Sequence, residues 1–323
     1  MSRAYLFEVT TEISSDWNAP LFTGKLVKSL LIDANPALKD LFKKSTGKTP
    51  KLIHITPLYE VDNRKMRCVY SSAEVGEKGI FKIRPVKING LYKFYVGFVD
   101  IEDDLLTFDK IYGTLMEIPG KHIFANHAFE VELTSLKALD IERGAKKVVE
   151  DLLSKGTLRV TFASPTLLRD PFRPSKFKSL IPTPMNVFST PIFINLWLRG
   201  EAKRRPYYTM LVMIHRLLNE THSIYSKHGL TGTIQVKFLA YEAGKSPIPA
   251  LIGYVNYKLN YHYMQVYEKA NGVKELLKDL FELMLTLGTG TSRATGFGHV
   301  TLHPDGRHLT SSNDTSGEVA EAF

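Results

Sequence analysis

The chain of 323 residues has one cysteine, Cys68. No intramolecular disulfide can form, and no structural zinc site can be built from cysteines. A reducing, cytoplasmic compartment fits. Long apolar runs are also lacking: none approaches the roughly 18 residues of a membrane span. The opening MSRAYLFEVTTEISSDW puts Glu8 and Glu12 where a signal peptide needs its apolar stretch, so we expect neither secretion nor a membrane partner. Acidic residues are in deficit, 33 against 42 Lys and Arg, leaving +9 at pH 7. That excess points to an anionic partner such as nucleic acid. Hydrophobic residues are not short, at 44% against 23% charged, which excludes the disordered class. At about 150 residues per domain, the length predicts two domains.

Two stretches share one grammar. Tyr5, Phe7, Val9, Thr11 and Ile13 alternate with Glu8, Thr10 and Glu12, the period of a half-buried strand. From Pro20 to about Asp33 the period becomes helical, with Phe22, Leu26, Val27, Leu30 and Leu31 on one side and Lys25 and Lys28 on the other. Strands are predicted at 52–61, 66–71, 92–99 and 129–133. A second series opens with a strand at Leu158, Val160 and Phe162. A stretch holding Pro165, Pro171, Pro174, Pro182, Pro184 and Pro191 reads as loop. A helix at 206–228 and strands at 232–241 and 250–259 follow. Val273, Leu276, Leu277, Leu280, Phe281, Met284 and Leu287 then mark a helix ending at Gly288, before a last strand at 297–302. Strand, helix, two strands, helix, strand is the ferredoxin-like order. The expected architecture is α+β: two tandem ferredoxin-like (RRM-like, βαββαβ) domains at 1–140 and 157–303, joined near 137–156, with a flexible tail at 304–323.

Between that last helix and last strand lies GTGTSRATGFGHV, with four of the 22 glycines, Gly288, Gly290, Gly296 and Gly298, within eleven residues. Such glycines let backbone N–H groups converge and let a phosphate chain approach, while Thr291, Ser292 and Arg293 add donors. The segment is not a Walker A loop, having no Gly-Lys-Ser/Thr, and it is not GxGxxG, because Arg293 stands where the third glycine should be. Nucleotide cofactors are therefore not expected. The plainer alternative is a helix-to-strand connection.

A Gly-x-Gly followed by Gly-Phe-Gly at this place in a second ferredoxin-like domain resembles the signature of the repeat-associated (RAMP) CRISPR proteins. More narrowly, it resembles the endoribonuclease that cuts precursor CRISPR RNA within its repeats. The Ser-Pro-Thr-Leu-Leu at 164–168 and the duplicated architecture extend the resemblance over nearly the whole chain. The resemblance implies cleavage without metal or cofactor, in which a 2′-hydroxyl attacks the adjacent phosphate and leaves 2′,3′-cyclic phosphate and 5′-hydroxyl ends. It implies CRISPR repeat RNA as partner and a CRISPR effector complex as a further one, the protein being monomer or homodimer. It also leaves an alternative, a non-catalytic RAMP subunit that holds guide RNA in such a complex.

Many members of the family use histidine, tyrosine and lysine from the first domain. Anchored on Asn35 and Pro36, the tyrosine position falls on Lys28, the histidine position near Lys43, and the lysine on Lys51 after Pro50. No histidine precedes His54. The resemblance thus implies a lysine-rich site of Lys28 and Lys51, assisted by Lys25, with Gly288, Gly290, Thr291, Ser292, Arg293, Gly296, Phe297 and Gly298 on the RNA. Lys25 and Lys28, three residues apart, leave one helix face and can flank one phosphate. The plainer reading is a solvated basic face. Arg169, Phe172, Arg173, Lys176, Phe177 and Lys178 mix cations and aromatics, a composition that pairs phosphates and stacks bases. The Lys203-Arg204-Arg205 run suits backbone contact or plain solvation. His299 and His303 have no cysteine nearby in sequence, and Pro304 follows His303 directly, so a metal site is not expected there.

Overall fold

The first alternating segment forms strand β1 (Arg3–Ser14), with Phe7, Val9, Thr11 and Ile13 buried on one face. The computed structural model describes residues 3–16, 18–19, 22–42, 49–62, 65–75, 81–100, 106–173, 178–221, 234–241 and 245–303. The expected tail at 304–323 and the candidate Lys43 lie outside these residues.

Around β1, the strands β2 (Tyr59–Asp62), β3 (Gly90–Asp100) and β4 (His127–Leu139) assemble in the antiparallel order β4-β1-β3-β2, the ferredoxin-like arrangement. Helices α1 (Gly24–Ala34) and α2 (Phe108–Met116) share a core with Phe7, Val9, Phe94 and Phe98. From the other side of the sheet, Leu6, Tyr59 and Tyr95 enter the core of the second half. That half repeats the order: β5 (Thr157–Thr166), β6 (Ile234–Leu239), β7 (Ile248–Leu259) and β8 (Val300–His303) align as β8-β5-β7-β6. The two tandem ferredoxin-like domains are also joined by a shared sheet and by a packed helix. The hairpin Ser72–Val75/Phe81–Arg84 of the first half adds to the second sheet, Ala73 facing Phe238 on β6. The closing helix, α7 (Val273–Leu287), packs against β1, β3 and β8. A Cβ on Gly97 of β3 would stand 1.8 Å from the Thr286 carbonyl oxygen, so only glycine permits this approach.

Three expectations change. The proline-rich stretch is not all loop, since α4 (Pro184–Leu198) begins there with Thr183 as a side-chain cap and Pro184 in the first turn, where no N–H is missed. Its apolar side chains lie on every side and none of its residues is exposed, so it carries no helical period. The joining segment is largely helix α3 (Ile141–Lys155), capped by Asp140 and ended by Gly156. The helix expected from 206 is α5 (Arg204–Leu217), which passes into a strand, Leu218–Thr221; the rest, from 222, lies outside the described residues. The last helix before the glycine loop falls where its period predicts, α6 (Tyr261–Asn271) preceding it.

Candidate functional site

Burial of Leu26, Val27, Leu30 and Leu31 against the first sheet turns the lysines of α1 outward. Lys28 Nζ lies 5.3 Å from the centre of the Phe42 ring. Lys51, leading into the short strand Ile53–Ile55, donates from Nζ to the carbonyl of the adjacent Leu41. The fold thus brings Lys28 and Lys51 together. Burial lowers the Lys28 pKa, and burial followed by the charges of Lys28 and Arg293 brings Lys51 down to about 8. Lys25 goes elsewhere: its Nζ sits 3.8 Å over the Tyr241 ring, on the second half. The two helix-face lysines therefore rest on different rings.

The glycine loop closes on itself and on the first domain. Thr289 N–H donates to Gly298 O, Gly298 N–H to Pro165 O and Thr291 N–H to Leu167 O, so these donors are spent internally. Gly288 and Gly290 are buried, and Phe297 stacks on Phe22 at 4.3 Å. A Cβ on Gly296, whose φ is +102°, would meet Gly24 Cα at 2.8 Å, where α1 begins. Arg293 is buried, with Nη1 on Leu287 O at 2.9 Å and Nη2 on Lys51 O at 2.8 Å. Its guanidinium holds the main chain beside a candidate lysine. Ser292 is exposed and Thr291 half-buried.

His54 and His299 form a pair not foreseen in the sequence. His54 Nδ1 is 3.1 Å from Arg293 O, an acceptor only, so Nδ1 carries the proton. Its Nε2 then accepts from His299 Nδ1 at 3.4 Å. Tyr95 stacks on His299 at 5.1 Å. His54 lies between buried Ile53 and Ile55, and that apolar setting was the available signal. Burial first, then the charges of His299 and Arg293, lowers His54 well below 6.5; burial lowers His299 to about 4.

Stability is therefore full above the unfolded value of about 6.5 and falls on acidification, as the unfolded chain binds protons that the folded one excludes. The fall continues to about pH 4, where folded His299 protonates. The expected loss is about 1.4 kcal/mol per pH unit for each histidine. Denaturant titrations at pH 7 and pH 5 measure it, and His299→Gln should reduce the slope. An unchanged slope would contradict this account.

Among the described residues, no group of three or more His, Cys, Asp or Glu is placed to hold a metal ion, and no helix is long and apolar enough to cross a membrane.

Two ferredoxin-like domains thus carry a glycine loop between the last helix and the last strand. Residues 5–139 match the family model of the Cas6 N-terminal domain. Its fold is similar to that in a Cas6 product complex, with a TM-score of 0.53, 15% identity and coverage of 94% of this chain and 99% of that one. It is also similar to Thermus thermophilus Cas6, with a TM-score of 0.51, 11% identity and the same coverage. No curated protein sequence matches the chain.

Proposed function

We propose that the protein is an endoribonuclease that cuts precursor CRISPR RNA within its repeats without a metal ion. The first domain, within 1–140, carries the chemistry, and the second, within 157–303, sets the loop against it. The observation carrying this reading is the pairing of Lys28 with Lys51, whose pKa of about 8 allows proton transfer near neutral pH. Lys51 takes the proton from the 2′-hydroxyl, whose oxygen attacks phosphorus. Lys28, still charged, stabilises the phosphorane while the bond to the 5′-oxygen breaks; that oxygen takes a proton from water, and Lys51 returns the proton it accepted to solvent. Lys25 assists by holding a neighbouring phosphate. The products are a 2′,3′-cyclic phosphate and a 5′-hydroxyl.

Incubation with repeat RNA in EDTA tests this reading. Cleavage is expected to proceed and to stop when the scissile nucleotide carries a single 2′-deoxy substitution. Undiminished cleavage of the deoxy substrate would rule out the mechanism. The competing reading, a subunit that holds guide RNA uncut, is favoured by the full burial of His54, which removes that histidine as an acid or base. Tight binding with no cleavage by the wild type would select it.

A further inference from the structure

Beyond the lysines, the hairpin Leu168–Arg169/Lys178–Ser179 sets Arg169 directly opposite Lys178. Like charges facing each other across strands are destabilising. Burial, and then Arg169, lowers the Lys178 pKa, and Arg169 Nε is buried without a hydrogen-bond partner. The hairpin thus holds two cations side by side.

Beside the hairpin, Phe172 stands 59% exposed on a fixed turn. Asp170 Oδ1 accepts from Phe172 N–H at 2.9 Å, and Arg173 is ion-paired to Asp170. The Phe172 ring stacks on Tyr208 with centroids 5.3 Å apart and planes 22° from parallel. Tyr208 donates its hydroxyl to Pro171 O, and the Arg204 guanidinium lies 5.7 Å from the centre of the Tyr208 ring. A mostly exposed phenylalanine held flat by a second ring, with cations around it, combines a stacking surface with phosphate ligands. The shelf is tied to the glycine loop through α4, where Ser189 Oγ donates to Arg169 O and Thr190 Oγ1 to Gly290 O.

We propose that Phe172, backed by Tyr208 and flanked by Arg169, Lys178 and Arg204, is a second RNA contact. It stacks one unpaired base and binds the adjoining phosphates. The inference rests on the RNA reading above and adds a single-stranded segment to the substrate. A base inside a duplex does not offer its face to such a ring. An acidic protein would neutralise the cations but would make no use of the flat ring.

The test uses the full chain, a fluorescein-labelled oligouridine of about 12 nucleotides, and a duplex RNA of the same length. Phe172→Ala should weaken oligouridine binding about 5- to 100-fold, and Phe172→Trp should preserve it. Duplex binding should be unchanged in both variants. The same oligonucleotide carrying 5-iodouridine should cross-link wild-type protein at Phe172 or Tyr208, a readout that depends on no variant folding. Equal oligouridine affinity in wild type and Phe172→Ala, or cross-links only elsewhere, would overturn the shelf. Wild type that cuts repeat RNA but does not bind oligouridine would overturn the shelf alone. Wild type that binds neither RNA would overturn the RNA reading as well.

Discussion

Lys51→Ala and Lys28→Ala are each expected to slow single-turnover cleavage of repeat RNA by about 10- to 1,000-fold, with RNA affinity nearly intact. Lys51 is the group whose proton moves, and Lys28 supplies charge that matters most when the phosphorane forms, so both losses fall on the rate. Lys51→Arg should not restore it, because a guanidinium stays protonated at any working pH. Lys25 rests on Tyr241 instead of pointing at the same place, so its removal should weaken binding more than it slows cleavage. Normal rates in both the Lys28 and Lys51 alanine variants would remove these residues from the site.

Arg293→Ala should be among the most damaging single changes to stability. The guanidinium satisfies Leu287 O and Lys51 O, and its loss strips both carbonyls of a donor in a buried place. An unsatisfied buried group costs about 1–3 kcal/mol, so the expected loss is about 3–5 kcal/mol with the cavity included. Lysine cannot replace the two-pronged contact. Gly97→Ala should be comparably severe, since its Cβ would fall 1.8 Å from the Thr286 carbonyl oxygen and main chain would have to move. Gly113→Ala in α2 is the control: nothing lies within 4 Å of its added Cβ, so it should stabilise by about 0.5–1 kcal/mol. Denaturant melts rank the three, and an Arg293→Ala midpoint equal to wild type would refute the structural role of the loop.

Elements were legible where polar residues interrupt an apolar period. In β1, Glu8 and Glu12 alternate with buried Phe7, Val9, Thr11 and Ile13, and in α7 the exposed Lys274 and Glu275 stand beside the buried stripe, so their periods stood out. α4 gave no such contrast because it is surrounded, and its prolines pointed to loop. The hairpin that joins the second sheet was invisible because pairing across the chain leaves no local pattern. The glycine cluster was conspicuous in sequence, but composition shows that N–H donors exist and not where they go. The N–H groups of Thr289, Thr291, Gly296, Phe297 and Gly298 go to carbonyls of the loop and its neighbours. The lysines were placed by resemblance alone, and the distinction between Lys28 with Lys51 and the more distant Lys25 needed the rings of Phe42 and Tyr241.

The pH dependence of single-turnover cleavage tests the lysine site most directly. With Lys51 as base, the rate should rise about tenfold per pH unit below an inflection near 8 and level off above it. Removing the Lys28 charge, which helps to hold the Lys51 pKa down, should move that inflection upward in Lys28→Ala. An inflection near 6.5 that stays in place in Lys28→Ala, the signature of a histidine, would contradict the account.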